Sequence, residues 1–160
     1  MGFQSYYAAV VISPGSLQMG PLLQQERIMN QEIEMLTVLK IAVFLTGGLF
    51  LVIGLAGLFT PEEFASGLGL SLASAEGAGS VRAMIGAHYL AMAAVSFFAM
   101  LRQQPVLLLP IAAIESVMVI ARGVAVVNGE FGSATIVPTV IEVTAAAFLF
   151  TAALRLPTSK

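Results

Sequence analysis

"PVLLLPIAAIESVMVIARGVAVV", residues 105–127, decides the fold. At about 1.5 Å of rise per residue, a helix of this length crosses the roughly 30 Å of hydrocarbon in a bilayer. The run is continuously apolar and does not alternate, so it reads as a helix and not as a barrel strand. Two charges interrupt it, Glu115 and Arg122. They stand seven positions apart, close to two full turns, and so share one helical face.

The rest of the chain agrees with this stretch. Of 160 residues, 58% are hydrophobic and only 10% are charged, where a soluble domain carries about 25% charged residues. The mean hydropathy is +0.94. These values predict an integral membrane protein with one domain of a few spanning helices. A net charge of −2 leaves no basic footprint for nucleic acid. Without Cys, the chain has no disulfide, thiolate metal site or thiol nucleophile. It also lacks Asp and has a single His, His88, so a metal site is not expected. No P-loop, nucleophile-elbow, zinc-protease or dinucleotide motif is present, and no catalytic residue can be named. Residues 1–20 hold no Lys or Arg, so a cleavable signal peptide is not evident.

Hydrophobicity divides the chain into four predicted spans. They run from Leu36 to Phe59, Val81 to Leu101, Pro105 to Val127 and Thr135 to Leu154. The expectation is an all-α four-helix transmembrane bundle, residues 36–154, with an N-terminal extension at 1–35 and a short tail at 155–160. Between spans one and two, "TPEEF" predicts a short surface helix with Thr60 as N-cap, Pro61 at N1 and Glu63 closing a capping box. "GLGLSLASAEGAGS" reads as a flexible or re-entrant loop. "RQQP" and "NGEFGS" read as turns. Pro110 and Pro138 fall in early turns of spans three and four, where neighbouring helices can absorb them.

Lys and Arg set the orientation. Arg27, Lys40, Arg102, Arg155 and Lys160 fall on one side of a four-span arrangement, and Glu62, Glu63, Glu76 and Glu130 fall on the other, with only Arg82 and Arg122 at its edges. The positive-inside rule then places both termini in the cytoplasm. Within the extension, Leu22, Met29, Ile33 and Leu36 share a helical face, with Glu26, Arg27, Asn30, Gln31 and Glu34 mostly elsewhere. This predicts a partly amphipathic helix. It reads either as a cytoplasmic continuation of span one or as a segment that docks on a partner subunit through Leu22, Met29 and Ile33. Its polar face is net acidic, which argues against anionic lipid as its target.

In this orientation Arg122, Glu142 and His88 lie at similar depth, roughly 8–10 Å below the outer surface. Glu115 sits deeper, near the midplane, and Arg82 higher. Each ionised side chain at the bilayer centre costs at least about 2.5–3.5 kcal/mol, so the expectation is that the five meet in one nearly neutral network. Arg122 pairs most naturally with Glu142 across the turn between spans three and four. Glu115 is then reached by Arg122, reached by His88, or left protonated. The network reads as polar glue between helices, or as a head-group or proton-linked site open to the outer side. Arg82 alone could simply snorkel. Ala83, Ala87 and Ala91 form a small-xxx-small stripe on span two, and Gly47, Gly48, Gly54 and Gly57 thin span one for close packing. Met100, Met118 and the Phe residues read as lipid-facing or core filler.

"SVRAMIGAHYLAMA", "IESVMVIARGVAVVNG" and the acid in span four resemble a family of small bacterial inner-membrane proteins known as domain of unknown function 4345, similar in layout to DoxX-like four-helix proteins. The resemblance covers Leu36 to Leu154. Arg82, Gly86, Glu115, Arg122, Gly123 and Glu142 match its pattern. It implies the fold and the inner membrane, and no activity. DoxX-like relatives are associated in places with quinone-linked redox enzymes, but this chain has no evident redox ligand set.

Two functions remain. The first is a non-catalytic accessory subunit that stabilises a larger membrane complex and contacts other membrane subunits. The second is a membrane protein that binds a quinone or a lipid head group, which could include a redox enzyme subunit. Transport is the weaker reading, because the inner half shows no polar relay.

Overall fold

In a computed structural model of the protein, the described residues are 19–158, with side chains from Leu23 onward. Among them the regular structure is all helical. Helix α1 spans Met19–Phe59 and α2 spans Pro61–Gly67. Helix α3, Ala75–Leu101, contains a π-helical stretch at Arg82–Ala87. One 3₁₀ turn, Pro105–Leu107, leads into α4, Leu108–Val127. Helix α5 spans Ser133–Arg155. Four of these helices are long and apolar enough to cross a membrane.

The described residues divide between two units, one ending at Glu34 and the other beginning at Met35. In the first, Leu23, Ile28, Met29 and Ile33 are exposed. Met29 and Ile33 are two of the three expected docking residues. The side chain of the third, Leu22, lies outside the described residues.

The second unit holds the bundle. In α4 the buried residues are Leu108, Ile111, Ala112 and Glu115, spaced i, i+3, i+4 and i+7. In α5 they are Glu142, Ala145, Leu149 and Ala152. Each set is a single stripe of a 3.6-residue repeat. The opposite faces are also apolar: Val117, Ile120, Val124, Val137 and Val140 are exposed. Lipid is as apolar as these side chains, so nothing drives them inward, and the interior mixes large residues such as Leu108, Ile111 and Leu149 with alanines that let backbones approach. Buried Ser96 meets its own hydrogen-bonding need by donating to the carbonyl of Met92 at 2.8 Å.

Helices α1 and α3 cross at glycine. A Cβ on Gly86 would stand 2.8 Å from the backbone nitrogen of Leu58, and one on Gly57 would stand 3.0 Å from that of Gly86. The expected Ala83, Ala87 and Ala91 stripe is exposed. The packed face lies one position earlier, at Gly86 and Leu90, because these residues meet α1.

Two local expectations also change. The Thr60 hydroxyl donates back to the carbonyl of Ala56 at 3.0 Å, so the capping box of α2 does not form. The Gly-rich segment becomes helical from Ala75, where the Ser74 hydroxyl accepts from the Gly77 N–H at 3.3 Å. Burial of Ala78 and Val81 offsets the poor helix propensity of its glycines. The lower face of α2 packs inward through Pro61 and Ala65, and the following turn brings Gly69 near the side chain of Ala134 at the start of α5.

Candidate functional site

Helices α4 and α5 are joined by a short turn, so residues late in α4 stand level with residues early in α5. Arg122 and Glu142 meet there. The Arg122 Nε donates to Glu142 Oε2 at 3.1 Å and its Nη2 donates to Oε1 at 2.9 Å. This is the bidentate fork that guanidinium and carboxylate geometries favour. The Glu142 side chain is 2% exposed and that of Arg122 27%. Arginine has five N–H donors, and the pair uses two, leaving others at the wall of the site.

Glu115 differs. It is fully buried, and neither carboxyl oxygen has a hydrogen-bond partner among the described residues. The reason lies in the α4 stripe. Arg122 is on the same face but about 10 Å higher by helix rise, and it is turned toward Glu142. Glu115 remains within electrostatic reach of Glu142 and of Tyr89.

The five-membered network expected from depth therefore does not assemble. His88 is exposed, with Tyr89 edge-on to it at 6.0 Å between ring centroids. Arg82 is exposed as well, and its Nε donates to the carbonyl of Leu58 at 3.1 Å. There it satisfies one of the open carbonyls in the last turn of α1. Depth alone placed these residues together. Arg82 opens the π-helical stretch and turns back onto the end of α1, and His88 follows that stretch on an exposed face, so neither joins Arg122 and Glu142.

A cavity of about 300 Å³ adjoins the ion pair. Arg122 and Glu142 form its polar wall, Tyr89 and Met118 border it toward the bundle, and Phe64 and Leu68 of α2 and its C-cap form another part of its lining. The Tyr89 hydroxyl has only a weak acceptor, the sulfur of Met118 at 4.0 Å, and the Tyr89 ring packs on buried Phe50 with centroids 5.6 Å apart. Tyr89 and Met118 also border an open groove between α3 and α4, where His88 lies. Neither Glu115 nor His88 lines the 300 Å³ cavity. The sequence reading missed Tyr89 as a polar residue of the site and treated Met118 as filler. The available signal was a phenol one residue from His88, in a span otherwise poor in hydrogen-bonding groups.

Chemically, this arrangement can bind. It offers a neutralised ion pair with spare N–H donors, a phenolic O–H with a weak partner, and apolar walls. Comparison with protein-family profiles, with curated proteins and with solved structures gave no match.

Proposed function

We propose that the protein is a bacterial inner-membrane protein with both termini in the cytoplasm, and that its bundle binds an amphipathic small molecule, a quinone or a lipid head group, in the non-cytoplasmic half. The observation that carries this reading is the cavity of about 300 Å³ walled by Arg122 and Glu142. Its volume falls at the low end of small-molecule sites, about 300–1,000 Å³, which are mostly apolar with a few placed polar groups. The free donors of Arg122 and Tyr89 suit carbonyl, ester or phosphate oxygens. Glu115 lies outside this cavity and argues only that the acids of the bundle are not all structural glue. A buried carboxyl with no partner gives the bundle no bond, and intramembrane acids of this kind mark functional sites. The resemblance to the domain of unknown function 4345 family is consistent with the location and silent on the ligand.

The test is an inventory by mass spectrometry of small molecules retained by the full chain in mild detergent. The expected result is one lipid or quinone species at near-stoichiometric level, lost in Ile141→Trp, which fills the cavity wall. A native protein that retains nothing above the lipid background would overturn the proposal.

One observation favours a second reading, an accessory subunit. Leu23, Ile28, Met29 and Ile33 expose apolar side chains in a segment that also carries Glu26, Arg27, Asn30 and Gln31. In this reading they dock on another membrane subunit. A partner protein would then co-purify at fixed stoichiometry and be lost in Met29→Glu/Ile33→Glu. Co-purification unchanged by that double substitution would count against it.

A further inference from the structure

A second cleft, of about 220 Å³, lies at the other end of the bundle from the ion pair. Lys40 and Phe44, one turn apart on α1, form one side. Met100 and Gln103 at the end of α3, and Leu156 and Pro157 after α5, form much of the rest. The cleft thus has one cation and one amide near apolar walls. Gln103 has φ +51°, the left-handed region that non-glycine residues seldom adopt. That conformation turns the chain sharply between Arg102 and Gln104 and brings Gln103 into the cleft wall.

The charges of the surrounding unit are segregated. In Met35–Lys160, the acids Glu62, Glu63, Glu76 and Glu130 belong to the opposite end, and Glu115 and Glu142 lie within the bundle. At the end with the cleft, the described charged residues of this unit are cations. Lys40 lines the cleft, Arg102 adjoins Gln103, and Arg155 adjoins Leu156. The Arg102 guanidinium lies over the Phe98 ring, 5.6 Å from its centroid.

A lysine and an amide beside apolar walls, at the cationic end of a set of spanning helices, suit an acidic head group with an apolar tail. We infer that this cleft binds an anionic phospholipid, with its phosphate at Lys40 and Gln103 and an acyl chain along Phe44, Met100 and Leu156. Basic pockets between spanning helices hold acidic head groups in this way, and each Lys or Arg near an anionic membrane surface contributes about 1 kcal/mol. The site is separate from the Arg122–Glu142 cavity, so either can fail without the other.

The experiment is a titration of the full chain in mild detergent, followed by native mass spectrometry, with phosphatidylglycerol, phosphatidylcholine and inorganic phosphate as ligands. Phosphatidylglycerol should bind more tightly than phosphatidylcholine. Lys40→Gln should weaken that binding by about fivefold, the loss of one cation, and Lys40→Arg should preserve it. Lys40 is exposed, so both variants should elute like the native protein. Equal affinity for the two lipids, or no change in Lys40→Gln, would overturn the inference. Millimolar inorganic phosphate should not displace the lipid; if it does, the apolar walls are not part of the site and the lipid assignment fails.

Discussion

Arg122 holds Glu142 through two parallel hydrogen bonds of 3.1 and 2.9 Å across the α4–α5 turn, and the carboxylate it holds is almost completely buried. Removing one partner of such a pair strands a charge in a poor solvent, a loss of about 3–5 kcal/mol for fully buried pairs. Arg122 retains some exposure, so the lower end of that range applies. Arg122→Met and Glu142→Leu should each be clearly destabilising in reversible unfolding in detergent. The double variant carries no charge at either position and should lose less than the sum of the two. Simple additivity in that cycle would show that the two side chains do not support each other.

Glu115 calls for the opposite result. Replacing an unsatisfied buried polar group by an apolar one of similar size removes a desolvation penalty of about 1–3 kcal/mol. Glu115→Leu should therefore fold and melt at a higher temperature than the native chain, and Glu115→Gln, similar in shape, should fall close to native. A strongly destabilised Glu115→Leu would mean that the carboxyl has a partner after all. A stabilised Glu115→Leu with reduced ligand retention would match the common exchange of stability for function at a working site.

The four spans were legible because hydropathy over twenty residues is a strong signal, and the proximity of Arg122 to Glu142 followed from counting residues down two helices joined by a short turn. What counting could not give was azimuth. The π-helical stretch at Arg82–Ala87 carries an extra residue per turn, and no residue type announces it. His88 follows that stretch and faces outward, while Arg82 opens it and is drawn to the Leu58 carbonyl. Ala87 and Ala91 looked like a packing stripe, yet the crossing with α1 uses Gly86 and Leu90 one position earlier. Tyr89 was overlooked because charge, not hydrogen-bonding capacity, guided the search for a site.

That crossing can be tested at single-atom scale. A Cβ on Gly86 would meet the Leu58 nitrogen at 2.8 Å and the Gly57 carbonyl carbon at 3.0 Å. Both are backbone atoms that cannot rotate away, so α1 and α3 must part. Overpacking of this kind costs about 1–3 kcal/mol, and Gly86→Ala should lie toward the top of that range. Gly48→Ala is the control, since nothing lies within 4 Å of its added carbon and alanine is the better helix former by up to about 1 kcal/mol. Thermal unfolding of the two variants should move in opposite directions. Equal shifts would mean that the two helices do not touch at Gly86.

The proposed orientation rests on segregated charge. Lys40, Arg102 and Arg155 mark one end of the spans, and Glu62, Glu63, Glu76 and Glu130 mark the other. Basic residues close to span ends are retained on the cytoplasmic side, whereas acidic residues contribute little, so the Lys and Arg end should stay inside. The absence of Cys allows a clean measurement by single-cysteine labelling. Ser71 and Thr158 are both exposed, at opposite ends of the bundle. A membrane-impermeant maleimide applied to intact spheroplasts should modify Ser71→Cys at once and reach Thr158→Cys only after lysis. The reverse pattern would invert the protein. The ion-pair cavity would then lie in the cytoplasmic half and the Lys40 cleft would face away from the cytoplasm.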